Sequence, residues 1–183
     1  MARTIAQRLA EDGFEAMGSF VVADTIAVGD PARLAASAAF GPDGLGNAWE
    51  FAAVPGEWLV WLHVDAELER VVEVLLVSPD ALGDLYDAYD GATEVAVLGT
   101  PSGRVAIVEA SRRDDTQLLK DFLEPEELPW LVDDGIVASA GDTGRVRVLA
   151  ALDRGRVELV SVHLGPFVVS VAGAAPIDSD ERD

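Results

Sequence analysis

Gly56-Glu57-Trp58-Leu59-Val60-Trp61-Leu62-His63-Val64-Asp65, a polar break, then Arg70-Val71-Val72-Glu73-Val74-Leu75-Leu76-Val77 reads as a β-hairpin. Both runs are rich in β-branched and aromatic residues, and Glu67 and Glu69 interrupt the apolar pattern between them. A second stretch echoes the first. Gly144-Arg145-Val146-Arg147-Val148-Leu149-Ala150-Ala151-Leu152-Asp153 is followed, after Arg154-Gly155, by Arg156-Val157-Glu158-Leu159-Val160-Ser161-Val162. In each, glycine precedes an apolar strand, aspartate closes it, and Arg-Val with a glutamate opens the return strand. The echo predicts an internal repeat, two β-rich halves that each contain a hairpin and pack together.

Outward from the hairpins, further strands are expected over residues 19–23, 25–28, 49–51, 94–98, 104–109, 136–140 and 167–171. Helices are expected in between. One runs over residues 4–12, where Thr4 and Gln7 have capping-box spacing and Gly13 offers a stop. Asp30-Pro31 opens an alanine-rich segment, 33–40, that reads as a brief helix or an irregular stretch. Ser78-Pro79-Asp80 starts another helix, ending near Tyr89, and residues 115–132 form a helical stretch broken at Pro125 and Pro129. No βαβ rhythm appears. The class expected is α+β, β-rich and mainly antiparallel, with two hairpin-containing halves packed together and a few short helices. Residues 1–175 are read as a single domain with halves of about 18–98 and 99–173, and 176–183 as a loose acidic tail.

Composition narrows the function. Thirty-three acids against 13 bases give a net charge of −20, a field that repels nucleic-acid phosphates and anionic membranes. Lys120 is the sole lysine, so arginine carries the positive charge. The hydrophobic fraction of 50% fits a packed globule, no apolar run reaches membrane-spanning length, and residues 1–9 lack the apolar core of a secretion signal. A cytoplasmic location is therefore expected. With no cysteine, thiolate chemistry and disulfides are excluded. The second hairpin, with Arg145, Arg147, Arg154 and Arg156, is the only locally basic element, and the pairing of its charges with a neighbouring acidic strand is the simpler reading.

Few residue patterns carry chemistry. Asp142-Thr143-Gly144 spells the aspartic-protease tripeptide, but that chemistry needs two such loops and the first hairpin offers only Pro55-Gly56-Glu57. A polar turn explains it better. His63 and His163 both fall on strands and at different places in the two hairpins. They form a metal pair only if folding joins them. A serine triad drawn from Ser102 or Ser139 lacks a Gly-x-Ser-x-Gly elbow. Asp80, Asp84, Asp87 and Asp90 share one helix face without the order of an EF-hand, which reads as a solvated face. Trp58 and Trp61, three apart on a strand, point to opposite sides, so Leu59, Trp61 and His63 share a face too apolar for free solvent: a helix or the second half covers it, which is the simpler reading, or it is a contact patch.

Several turn-like motifs resemble a family of uncharacterised bacterial proteins. Ile26-Ala27-Val28-Gly29-Asp30-Pro31 is similar to that family's GDP turn, and Pro55-Gly56-Glu57-Trp58-Leu59-Val60 to its PG-x-Y-x-V strand. Thr100-Pro101-Ser102-Gly103 resembles its DSG segment, with Pro101 in place of aspartate. Ala140-Gly141-Asp142-Thr143-Gly144 resembles its GDG hairpin, with Thr143 in place of glycine. The resemblance implies a shared fold and carries over no functional residue.

The functional expectation is a non-catalytic acidic domain that binds a basic protein partner, with no cofactor, metal or catalytic residue assigned. An immunity- or inhibitor-like role is one version. The alternative is a small-molecule-binding protein or hydrolase with a cleft between the halves. It would use Asp142, Arg145, Arg147 and Asp30 as a cleft or anion site, whereas Leu59, Trp61 and His63 would be the contact patch of the first reading.

Overall fold

The computed structural model describes residue 11 and residues 13–67, 69–79, 91–141, 143–153 and 156–164. The helices expected at 4–12 and 80–89, the strand at 167–171 and the acidic tail fall mainly or wholly outside them. Among the described residues eleven strands build two sheets: β1 Phe14–Val22, β2 Thr25–Gly29, β3 Trp49–Ala52, β4 Gly56–Asp65, β5 Arg70–Val77, β6 Thr93–Gly99, β7 Arg104–Glu109, β8 Trp130–Val132, β9 Gly135–Ser139, β10 Arg145–Asp153 and β11 Arg156–His163. The larger sheet has the order β1-β4-β5-β11-β10-β6 and the smaller β3-β2-β7-β9-β8. Every pairing within them is antiparallel. Among the described residues the fold is thus β-rich and mainly antiparallel with little helix, as the sequence leads one to expect.

The two hairpins, β4–β5 and β10–β11, lie side by side in the larger sheet, joined through their return strands β5 and β11. Outward from that central pair, β4 and then β1 lie on one side, β10 and then β6 on the other. The smaller sheet is centred on β2 and β7, with β3 beyond one and β9 and β8 beyond the other. Each sheet therefore takes strands from both halves of the chain.

Alternation along the strands explains why the sheets stack. Phe20, Val22, Trp58, Val60, Val74, Leu76, Val148, Val160 and Val162 of the larger sheet meet Ile26, Val28, Phe51, Val105, Ile107 and Ile136 of the smaller in one buried core. Trp58 is fully buried, and its indole N–H donates to the Val54 carbonyl at 2.8 Å. The intervening residues of the smaller sheet, Ala27, Ala106, Val108 and Val137, pack with Leu119 and Phe122 on its other face. That sheet is covered on both sides, which is why β2 and β7 read as continuous apolar runs. β1 begins at Phe14, earlier than expected, because a bulge between Ala16 and Gly18 breaks its alternation. Phe14 thereby faces away from the core that Phe20 enters.

The cover comes from α1, Thr116–Phe122, the regular part of the expected helical stretch. Asp115 caps it, accepting from the Gln117 and Leu118 N–H groups, and the Leu118 bond above all holds its carboxyl below the usual range. Beyond α1 the chain passes a cis Leu128–Pro129 bond, and Trp130–Val132, expected in the helical stretch, is instead a strand paired with β9. The alanine-rich segment after Pro31 starts as a turn. The Asp30 carbonyl accepts from the Arg33 and Leu34 N–H groups, and the Asp30 carboxylate takes the Ala32 N–H at 2.6 Å.

Gly135 opens β9 between β7 and β8, where an added Cβ would sit 2.4 Å from the Ile107 carbonyl oxygen. Backbone cannot yield as a side chain does. Gly135→Ala is expected to cost about 1–3 kcal/mol in urea denaturation, whereas Gly103→Asn, in open space at a φ of +78°, costs under about 1 kcal/mol.

Candidate functional site

The face of the larger sheet turned away from the sandwich core carries the most chemistry. Across β4, β5 and β11 its side chains form three lateral rows: Leu59–Val77–Leu159, Trp61–Leu75–Ser161 and His63–Glu73–His163. The rows grade from apolar to ionisable. Phe14, Leu75, Val77, Ala151 and Leu159 are buried there with Trp61 beside them, so most of this second face is itself a core. Leu59 lies at its open corner, 45% exposed, next to Val21 of β1 at 56%.

The third row unites the two histidines. His63 Nδ1 and His163 Nε2 each stand 3.7 Å from a carboxylate oxygen of Glu73, which is buried, and the Ser161 hydroxyl donates to the same carboxylate. His63 also stacks on Phe14, ring centroids 4.9 Å apart. The row continues to Arg147, whose Nε donates to Glu94 at 2.6 Å. Burial pushes His163 below the usual imidazole range; the Glu73 charge works against that shift, and Arg147 adds to it. The Ser161 hydroxyl donates to Glu73 and not to a histidine, so the arrangement is not that of a histidine-activated serine. Among the described residues no group of acids and histidines is placed to hold a metal ion.

Two other acids are buried, at the ends of β2 and β7. Asp30 accepts from the Ser102 N–H at 2.8 Å, the Ser102 hydroxyl at 2.8 Å and the Ala32 N–H. Glu109 accepts from the Ser111 N–H at 3.0 Å and from the Ser111 hydroxyl. Each thus fixes the turn that follows its strand. The GDP turn and the Pro101-Ser102-Gly103 segment are therefore bound to each other through Asp30.

Of the residues read as a cleft or anion site, Asp142 lies outside the described residues. Asp30 is enclosed with Ser102, Arg147 bridges to Glu94 on the outer sheet face, and Arg145 is an exposed residue on the same strand with a partner of its own. The Thr143 hydroxyl donates to the Arg145 carbonyl, and Gly144 has a φ of +76°, so the described part of the Asp-Thr-Gly motif is turn geometry. Leu59, Trp61 and His63 do share one face, as alternation requires. The sequence reading missed Glu73 as the meeting point of the histidines. Its signal is the β5–β11 register, which pairs residues far apart in the chain.

Asp30→Ala strands three donors at once and is expected to lower stability by at least about 3 kcal/mol, measured by urea denaturation. For His163 the sign follows from its lowered value. The unfolded state binds the proton more readily, so this residue makes stability fall as pH drops below about 6.5. Across pH 7.5 to 5.5, taken as roughly the window of that titration, the melting temperature of wild type should fall relative to that of His163→Gln. Parallel curves would exclude the effect. The chain matches no family model, no curated protein and no solved structure, so the reading of this face rests on its own geometry.

Proposed function

We propose that the protein is a non-catalytic acidic binding domain whose ligand is a basic protein, met at the open corner of the larger sheet. The observation that supports this most is the exposure of Val21 and Leu59, diagonal neighbours on β1 and β4, with Glu57 across from Val21 and Ser19 across from Leu59. An apolar centre with acid at its edge, on a chain of net charge −20, is complementary to a cationic surface with an apolar anchor. The buried acids support the same reading from the other side. Asp30, Glu73 and Glu109 each have a serine donor, so they serve the fold, and the acids left for recognition are at the surface. An immunity- or inhibitor-like role is the concrete form of this proposal. No helix among the described residues is long and apolar enough to cross a membrane. A cytoplasmic setting and the duplication of the hairpin unit belong to the same proposal.

The test is affinity capture from native lysate at low and high salt, using wild type and the Val21→Ser/Leu59→Ser double variant. A stoichiometric basic protein should be held at low salt, released near 1 M salt, where screening acts within roughly 3 Å, and lost in the variant. No partner in either condition, or one retained equally by the variant, would refute the proposal.

A further inference from the structure

A cavity of about 280 Å³ opens between the sheets at the turn end of the first hairpin. Val64, Glu69, Arg70 and Val71 line it from the β4–β5 hairpin, Ala138 and Ser139 from β9 of the opposite sheet, and Leu128 and Pro129 from the loop before β8. The wall is mostly apolar, with one cation, one hydroxyl and one carboxylate. It takes residues from both halves of the chain, and it is separate from the Val21–Leu59 corner.

Arg70 is the anomaly. In a chain with 33 acids, arginines elsewhere find partners readily: Arg33 meets Asp43, Arg112 meets Asp115 and Asp134, Arg113 meets Glu50, and Arg147 meets Glu94. Arg104 donates to the Phe122 carbonyl at the end of α1. Arg70 is half-buried, yet no carboxylate among the described residues pairs with it. Its Nε reaches only the Val71 carbonyl, at 3.5 Å, and its Nη2 is buried with no hydrogen-bond partner. A guanidinium withdrawn from water without an acceptor is costly, and a ligand oxygen is the acceptor such a group lacks. Glu69, beside it, holds a left-handed φ of 53°, a conformation uncommon for a residue with a side chain. The backbone at the cavity rim is therefore held in an unfavoured state, as at many binding sites.

We infer that this cavity binds a small organic monocarboxylate with a short apolar tail, its carboxylate on Arg70 and its tail against Val64, Val71, Leu128 and Pro129. The Ser139 hydroxyl accepts only a long bond from the Gly141 N–H, at 3.4 Å, and retains its proton to donate to the ligand. Two features select a monoanion over phosphate. Glu69 places a like charge on the wall, and the field of the whole chain raises the cost of each added negative charge. The volume limits the ligand to a few carbons, below the usual range for drug-sized molecules.

The experiment is a titration of ¹⁵N-labelled full-length protein with straight-chain carboxylates of two to eight carbons, the matching methyl esters, and inorganic phosphate. Amide shifts follow wild type, Arg70→Lys and Arg70→Gln. Saturable binding should appear for the mid-length carboxylates, with shifts confined to residues 64–71 and 128–139. The ester should bind at least about tenfold more weakly. Arg70→Gln should lose about tenfold or more, and Arg70→Lys, which keeps the charge and a folded spectrum, should lose less. The inference is overturned by no saturable shift with any carboxylate, by equal binding of ester and acid, by preference for phosphate, or by unchanged affinity in a folded Arg70→Gln.

Discussion

The antiparallel pair β5–β11 is the constraint on which the rest of the molecule depends. These strands lie at the centre of the larger sheet, and each carries the return arm of a hairpin. Their register puts Leu159 opposite Val77, Ser161 opposite Leu75 and His163 opposite Glu73. A slip of β5 by one residue would turn Val74 and Leu76 out of the inter-sheet core and bring Glu73 into it, and a slip of β11 would do the same with Val160, Val162 and His163. Because both faces of these strands are buried, each setting of the register is tested twice, once by each core. The pair thus fixes the hairpins relative to each other and with them the sequence of rows on the outer face.

Three buried carboxylates would be expensive ornaments if they stood alone. Each instead meets a serine hydroxyl, and two of them also accept backbone N–H groups two residues on. The arrangement at Asp30 and Glu109 is nearly the same local device: an acid ends a central strand of the smaller sheet and caps the turn that leads away. At Asp30 the device reaches further, because Ser102 belongs to the loop before β7, which pairs with β2. Glu73 differs, since its donor lies across the β5–β11 pair and its neighbours are imidazoles. There the acid ties together three strands and meets both histidines of the chain.

Strand positions were largely legible because turn residues punctuate the chain and alternation survives over most strands. Where alternation fails, the reading shifts: the bulge at Ala16/Gly18 hid the first residues of β1. Pro129 suggested a broken helix, and the short β8 after it depends on pairing with β9, information that its three residues do not hold. Capping at Asp115 was local and hence readable in kind, but the helix stops at Phe122, well before the prolines. The outer-face strip of Leu59, Trp61 and His63 follows from period two alone. Its meeting with Glu73 and His163 does not, because it depends on the pairing of β5 with β11, strands that share no local signal of adjacency. Asp30 stood out as a polar residue in a turn, yet only the tertiary pairing of β2 with β7 reveals that it binds Ser102.

Charge gives the last step. A net −20 chain repels itself, and the structure answers by assigning its arginines to particular acids and carbonyls instead of leaving them dispersed. Arg112 spans Asp115 and Asp134, tying the start of α1 to the β8–β9 turn, and Arg113 links Glu50 of β3 to the Leu34 carbonyl. These ties are partly exposed, so each adds little stability alone. Their larger effect is placement, since they fasten irregular segments to sheet edges where apolar contact is thin. In that setting an arginine left without an acid is a stronger signal than it would be in a neutral protein. Acids were abundant, and among the described residues none pairs with Arg70, whose Nη2 is buried without a hydrogen-bond partner.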